Sequence, residues 1–255
     1  MLNLPAIADT EQTVPLGLSR EYHRKKGEVL HPEREPLAAL LELKREMGSA
    51  DFAAQYQQQP VPPGGNLIKS SWLRCYDDPP PWDQGDKLIV SWDTAMSAGD
   101  GCDYSACVVL QVKKEAAYVL EVVRERLDYP DLRRKVIELH RKWSCVPLNY
   151  ALLIENKGSG MSLLQDFRRE GIFGIGVKPT ADKILRINAH TARMEAGAVH
   201  LPQQAPWLAD FLQELLTFPA SKHNDQVDAL SQALDRAFKP IGATFKMGFA
   251  EGLTH

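Results

Sequence analysis

The chain has 255 residues, 25% of them charged, and a formal net charge of −3 at pH 7. This length is sufficient for a buried core, either in one domain with an appendage or in two small domains. The slightly negative charge excludes a protein that coats nucleic acid through an overall positive surface, so contact with nucleic acid requires a local basic patch or metal ions. Four scattered cysteines without a CxxC pair argue against a zinc site or a disulfide framework.

The first 63 residues differ from the rest in composition. Prolines punctuate a polar stretch, which predicts an irregular arm. Leucines at helical spacing then predict a helix over 35–48, and a second short helix is expected over 51–58. Residues 60–65, Pro-Val-Pro-Pro-Gly-Gly, are typical of a linker. We expect an N-terminal arm and linker over 1–63 and a loosely held tail over 241–255.

Three apolar or alternating runs follow the arm. They predict strands over Lys87–Asp93, Ser105–Val112 and Ala117–Leu127. The connections are short, which favours an antiparallel meander.

The pattern then changes to helical periodicity alternating with short apolar runs. An amphipathic helix is predicted over Tyr129–Trp143, followed by a buried strand over Tyr150–Glu155. A strand, a crossover helix and a second strand imply parallel pairing with a right-handed connection. If the strand ending in Glu155 lies beside the strand ending in Asp93, both acids leave the sheet at its carboxyl edge, where α/β sheets bind ligands.

The remainder of the chain is mainly helical. We predict an edge strand over 173–177, a short strand over 197–202, and helices over 160–170, 183–196, 206–218 and 223–238. The fold class is therefore α/β, with a mixed sheet flanked by helices over residues 64–240.

Three acids occupy positions where a charge is costly. Asp93 and Glu155 each close a buried strand, and Asp225 begins a helix. Like charges brought together raise one another's pKa unless cations neutralise them. Hard divalent cations accept oxygen ligands, and two of them about 4 Å apart stabilise both oxygens in phosphodiester hydrolysis. The three acids together predict a nuclease, and Asp228, one turn on, either joins the site or makes a structural hydrogen bond.

Four stretches carry a resemblance to a known family. They are Asp93-Thr-Ala, Asp103-Tyr-Ser-Ala, Leu-Leu-Ile-Glu155-Asn and His223-Asn-Asp225-Gln-Val-Asp228-Ala. In this order, and over about residues 67–238, the chain resembles the nuclease domain of the large terminase subunit of tailed bacteriophages, a member of the RNase H-like superfamily. The resemblance implies an RNase H-like mixed sheet with a three-stranded antiparallel meander plus parallel strands.

The resemblance also implies functional roles. Asp93, Glu155 and Asp225 would be catalytic and would bind two Mg²⁺ or Mn²⁺ ions, with Asp228 as a further metal ligand and Asp103 as a helper.

Two neighbours of Asp225 are further candidates. The family often has His-Asp-Asp where this chain has His223-Asn224-Asp225, and an amide ligates through its oxygen without bringing charge. His223 could assist proton transfer, although a hydrogen-bonded cap of the helix is the simpler expectation.

The resemblance implies a metal-dependent endonuclease that cuts concatemeric double-stranded DNA for a viral packaging motor in the cytoplasm of the bacterial host. Implied partners are the portal protein, the small terminase subunit and an ATPase half of the same protein. The arm resembles the segment that joins the two halves of a terminase. The chain has no GxxxxGK[ST] loop, hence no ATP site of that kind, and no apolar run reaches the ~20 residues of a membrane span.

Basic side chains could face DNA. The candidates are Lys157, Lys183, Arg186, Arg133 and Arg134. A solvated helix face is the simpler interpretation of the two arginines at 133 and 134. Gly158-Ser-Gly160 could cradle a phosphate or relieve backbone crowding beside Glu155.

The sequence leaves two alternatives open. One is a docking module that grips DNA or a portal ring, with weak or vestigial cleavage. The other is an RNase H-like resolvase or transposase, against which the long arm argues.

Overall fold

A computed structural model of the chain describes residues 4–17, 20–58, 67–95, 104–145, 149–178 and 182–238. In the arm, strands β1 (Gln12–Gly17) and β2 (Arg20–Arg24) form an antiparallel hairpin, followed by helices α1 (Leu37–Met47) and α2 (Ser49–Gln55). The two predicted helices are confirmed.

The predicted irregular arm is wrong over the hairpin. The reason is that Arg24, which is fully buried, takes the place of an apolar core residue. Its Nη2 donates to the carbonyl oxygens of Pro5 at 3.0 Å and Glu28 at 2.9 Å. A buried arginine and a proline at position 15 remove the apolar alternation by which a strand is recognised.

A seven-stranded mixed sheet forms the centre of the molecule, in the order β3-β9-β6-β5-β4-β7-β8. Its strands are β3 (Arg74–Tyr76), β4 (Lys87–Asp93), β5 (Ser105–Lys113), β6 (Ala116–Glu125), β7 (Asn149–Glu155), β8 (Gly174–Val177) and β9 (Val199–Pro202). Strands β4, β5 and β6 form the predicted antiparallel meander, and β7 pairs with β4 in parallel. The predicted α/β class and mixed sheet are confirmed.

Helices cover both faces of the sheet. They are α3 (Tyr129–Ser144), α4 (Ser159–Arg169), α5 (Lys183–Glu195), α6 (Leu208–Thr217) and α7 (Asp225–Ala237). Helices α3 and α4 share a core with Leu88, Val90 and Trp92 of β4, whereas α5, α6 and α7 share a core with Ile89 on the opposite face. Within the described ranges, no helix is long and apolar enough to cross a membrane.

The alternation along β4 decides where its last residue points. Because side chains alternate between faces, Ser91 and Asp93 lie on the face of Ile89, under α7. The Nε2 atom of Gln232 in α7 donates to Ser91 Oγ at 3.0 Å. At the other end, Lys87 Nζ donates to the carbonyl oxygen of Ala237 at 2.9 Å. Helix α7 therefore runs antiparallel to β4 and places its first turn at the carboxyl edge.

Candidate active site at the carboxyl edge of the sheet

Asp93 and Glu155 end two neighbouring parallel strands. The register of β4 and β7 pairs Trp92 with Ile154, so the two acids are the next residues on adjacent strands and share a face. Burial raises the pKa of Asp93 well above its usual range, and a hydrogen bond with Glu155 and the charges of Glu155, Asp228 and Asp225 raise it further. Two carboxyl groups this close require a shared proton or a cation.

Asp225 is the first residue of α7 and is half-buried. Burial is the largest cause that raises its pKa to about 6, with a further upward contribution from the charge of Glu214. Its own backbone N–H and the positive charges of His223 and Lys183 act in the opposite direction. Its Oδ2 atom is buried and has no hydrogen-bond partner among the described residues. This oxygen is available to a cation.

Asp228 lies one turn further along α7 and is buried. It accepts a hydrogen bond from Arg186 Nη2 at 2.6 Å and forms an ion pair with Lys183. Asp228 therefore makes the structural contact that the sequence left open. Its expected role as a further metal ligand stays a prediction.

Lys183 and Arg186, expected to face DNA, both point to Asp228. Burial lowers the pKa of Lys183, but the hydrogen bond with Asp228 and the charges of Asp228, Asp93 and Asp225 outweigh burial, and the net shift is upward. These contacts therefore favour the positively charged form of Lys183 beside the acids.

The donor set fits a hard divalent cation in type, since Asp93, Glu155 and Asp225 offer carboxylate oxygens and one of these oxygens has no partner among the described residues. In the described part of the chain, no three His, Cys, Asp or Glu side chains converge into a complete metal-binding group. Asp103, the expected helper, lies outside the described residues.

The neighbours of Asp225 make contacts of their own. Asn224 Oδ1 accepts a hydrogen bond from Ser221 Oγ at 2.5 Å. The ring of His223 meets the ring of Tyr104 edge-on, with centroids 5.1 Å apart. Asn224 is the N-cap residue of α7, and its side chain makes no capping hydrogen bond. The expected capping role of His223 stays a prediction.

The remaining sequence candidates lie at varying distances from the acids. Lys157 is exposed two residues after Glu155. Arg133 and Arg134 lie on α3, across the sheet from α7, and form ion pairs with Glu170 and Asp131. Because both arginines are paired with acids, they favour the interpretation of a solvated helix face over that of a DNA-facing patch.

The surroundings of Gly160 favour relief of backbone crowding over phosphate binding as the reason for a glycine there. A Cβ atom on Gly160 would clash with the carbonyl oxygen of Glu155 and would lie 3.1 Å from Ile154 Cγ2. No side chain fits there, so this glycine permits α4 to start directly against the end of β7.

Glu214 was not predicted, although it supports the site. It is a buried acid on α6, and it accepts hydrogen bonds from the backbone N–H of Gln226 at 2.7 Å and of Val227 at 3.2 Å. Arg124 Nη1 donates to its other oxygen at 3.0 Å. Glu214 therefore caps the start of α7. The sequence feature that could have indicated a special role for Glu214 is its position as an acid between the apolar residues Phe211 and Leu215.

The chain is similar to known terminases in both sequence and structure. The family model described as the terminase RNase H-like domain matches residues 90–237, more than half of the chain. The structure of a large terminase from a thermophilic bacteriophage, in complex with ADP, is similar with a TM-score of 0.56 and 12% identity, over 79% of this chain and 51% of that one.

A second similar structure is the large terminase nuclease from the thermophilic phage G20c with bound cobalt. It matches with a TM-score of 0.50 and 15% identity, over 69% of this chain and 99% of that one. No curated protein matches the sequence significantly. The chain spans about half the length of the ADP-bound terminase, and identities this low establish likeness of fold.

Proposed function

The chain belongs to the terminase RNase H-like domain family, and on that premise we propose that it is a metal-dependent DNA endonuclease of a viral genome-packaging motor. The observation that carries the proposal is the pairing of Asp93 with Glu155 at the carboxyl edge, beside the Oδ2 atom of Asp225, which has no partner in the described part of the chain. Acids held this close gain most from a divalent cation.

Asp93, Glu155 and Asp225 would hold two Mg²⁺ or Mn²⁺ ions. When bound, such ions activate water and neutralise charge on the phosphate that is attacked. The structure of the G20c nuclease with bound cobalt supports a divalent metal.

The residues around the acids limit how much negative charge the site carries. Lys183, held by Asp228, adds a positive charge on the same side. We propose that Asp228 acts as a positioning residue that keeps Lys183 and Arg186 beside the catalytic acids.

The biological setting is proposed from the family. The substrate would be concatemeric double-stranded DNA, cut in the cytoplasm of the bacterial host. The partners would be the portal protein, the small terminase subunit and an ATPase half of the same protein. Within this chain, residues 1–63 would be the arm and linker from that half, 64–240 the nuclease domain and 241–255 the tail.

One observation favours a second candidate. Asn224 stands where the family often has a second acid, and its oxygen already accepts a hydrogen bond from Ser221. A site with one acid fewer would also suit a module that docks on DNA or the portal with weak or vestigial cleavage. A resolvase or transposase lacks such support, since the matching family model is that of terminases.

Plasmid cleavage tests the proposal. Supercoiled plasmid is incubated with the purified chain in Mg²⁺, Mn²⁺ or EDTA, beside Asp93→Asn and the matched control Asp86→Asn. Asp86 is a buried acid just before the opposite end of β4, where it accepts a hydrogen bond from the backbone of Asp83 at 3.0 Å. We expect metal-dependent nicking and linearisation by the wild type and by Asp86→Asn, and a rate at least about 100-fold lower for Asp93→Asn.

Plasmid that stays intact in both metals, with a folded wild-type protein, would contradict the nuclease proposal and favour the docking module. Equal cleavage by wild type and Asp93→Asn would remove Asp93 from the site.

A further inference from the structure

A cluster of one aromatic side chain and two arginines lies at the same edge of the sheet as the acids. Tyr104 directly precedes β5, and Arg126 directly follows β6. The guanidinium carbons of Arg124 and Arg126 each lie 4.6 Å from the centroid of the Tyr104 ring. Both distances are within the range of a cation–π contact.

The strand register places this cluster relative to the acids. Asp93 pairs with Ala106, and Ala106 pairs with Arg124. Directly paired residues share a face of the sheet, so Arg124 lies on the face of Asp93, two strands away, which is roughly 10 Å. Arg126 follows two residues later, beyond the end of β6, and keeps that face.

The two arginines differ in their electrostatic partners. Arg124 is tied to the buried Glu214, with Nη1 and Oε2 3.0 Å apart. Arg126 is exposed, and within the described residues no carboxylate pairs with it. A positive charge held against an aromatic ring at a sheet edge, with no acid among the described residues to neutralise it, suits an anionic ligand.

We propose that Arg126, held in place by Tyr104, binds a backbone phosphate of the DNA a few base steps from the phosphate that is cut. This inference rests on the proposed function and adds a positioning residue to it. A guanidinium binds phosphate oxygens through two parallel hydrogen bonds. Because Arg126 lies two residues beyond Arg124, it is somewhat more than ~10 Å from Asp93, which corresponds to roughly three to four base steps along one strand of duplex DNA, so one strand could contact both places.

The stack on Tyr104 provides part of the affinity. An exposed arginine loses side-chain entropy when it is fixed on a phosphate, and a ring that already holds the guanidinium reduces that loss. The charge alone should therefore bind more weakly than the charge on the ring. Arg126→Lys and Tyr104→Leu separate these contributions, because each keeps a cation at position 126 and removes the planar stack.

The salt dependence of DNA binding tests the inference. Binding of a fluorescent duplex of about 30 base pairs is measured in EDTA by anisotropy, at salt concentrations from about 50 to about 200 mM. The variants are Arg126→Ala, Arg126→Lys, Tyr104→Leu, Tyr104→Phe and the control Arg45→Ala. Arg45 is an exposed arginine on α1 in the arm, with 73% of its side chain accessible.

We expect Arg126→Ala to bind more weakly and to lower the slope of log K against log salt by about one. Its affinity deficit relative to the wild type should be about threefold larger at the lowest salt concentration than at the highest. Arg126→Lys and Tyr104→Leu should keep most of the wild-type slope with reduced affinity. Tyr104→Phe should bind like the wild type.

Cleavage kinetics provide a second readout. If Arg126 positions DNA, Arg126→Ala should raise KM several-fold and change kcat by less than about threefold, whereas a loss of folded protein would lower kcat without changing KM. Circular dichroism identifies any variant that fails to fold, and Arg126→Lys then remains as the test.

Three results would overturn the inference. They are a wild-type slope and KM in Arg126→Ala, an equal loss in Arg45→Ala, and no measurable binding by the wild type at the lowest salt concentration. The outcome is separable from that of the proposed function. Arg126-dependent binding without any cleavage would contradict only the nuclease, and cleavage that is indifferent to position 126 would contradict only this inference.

Discussion

Asp225 holds one carboxylate oxygen buried and without a partner among the described residues, which is unfavourable for an ionised group. Burial and the charge of Glu214 raise its pKa to about 6. The pKa of Asp93 is shifted in the same direction, first by burial and then by Glu155. Both carboxylates are therefore destabilised when ionised without metal, and a divalent cation would relieve that cost.

The raised pKa of Asp225 has a consequence for stability in EDTA. In the folded state its carboxyl releases its proton near pH 6, against an ordinary pKa of 3.8. The stabilising contribution is fully present below pH 3.8 and is lost as the pH rises through about 6. Between about pH 4 and pH 7, the free energy of unfolding of the wild type should fall by about 1–2 kcal/mol relative to Asp225→Asn, after allowance for solvent screening of this half-buried group.

Urea denaturation at several pH values measures this difference. The control is Asp210→Asn, which removes an exposed acid from the first turn of α6 and should follow the wild type. If the difference in the free energy of unfolding between wild type and Asp225→Asn stays constant over this pH range, the pKa of Asp225 is not raised as described.

Helix α7 connects the core of the protein to the candidate site. Its last turn accepts a hydrogen bond from Lys87 at the start of β4, its middle reaches Ser91 through Gln232, and its first turn carries Asp225. Glu214 fixes that first turn from α6 by accepting two backbone N–H groups. The position of Asp225 therefore depends on an acid that is not part of the acid cluster.

Glu214→Gln tests this dependence. The substitution removes the charge paired with Arg124 and turns an amide toward backbone donors. We expect the free energy of unfolding to fall by about 2–3 kcal/mol, because charged and buried hydrogen bonds are lost. The pKa of Asp225 should also move down, since the charge of Glu214 raises it.

Chemical denaturation and a pH titration of stability measure the two effects. Glu138→Gln, at an exposed position on α3 with 68% of its side chain accessible, should change stability by less than about 0.5 kcal/mol. A loss equally small in Glu214→Gln would show that the cap does not hold α7.

Periodicity was sufficient to predict the elements with long, regular patterns. The strand Lys87–Asp93 has the predicted bounds, and the helix that begins at Tyr129 ends one residue later than expected. The shortest strand gave too little signal: β3 has three residues, and its pairing with β9 joins segments more than 120 residues apart.

Regular strand patterns also made part of the candidate site predictable. Asp93 and Glu155 end patterned strands, so their meeting followed from the topology. The contact between Arg124 and Glu214 spans 90 residues of sequence, and no local pattern indicates it. The ion pairs of Asp228 with Lys183 and Arg186 likewise depend on how α5 packs beside α7.

In the whole molecule, the arm is in contact with the helix that supports the site. Asn188 of α5 donates to both carboxylate oxygens of Asp51 in α2, at 3.2 and 3.3 Å. At Gly48, between α1 and α2, an added Cβ would lie 3.3 Å from the backbone of Ala192. The arm thus packs on α5, whose first turns present Lys183 and Arg186 to Asp228.

The central claim is that the carboxyl edge of the sheet holds divalent metal through Asp93 and Glu155. Calorimetric titration of Mn²⁺ into the wild type, Asp93→Asn, Glu155→Gln and the control Asp86→Asn tests it most directly. We expect saturable binding by the wild type and by Asp86→Asn, and an affinity at least about tenfold lower in the other two variants. Folded wild-type protein that takes up no Mn²⁺, or unchanged affinity in Asp93→Asn and Glu155→Gln, would contradict the claim.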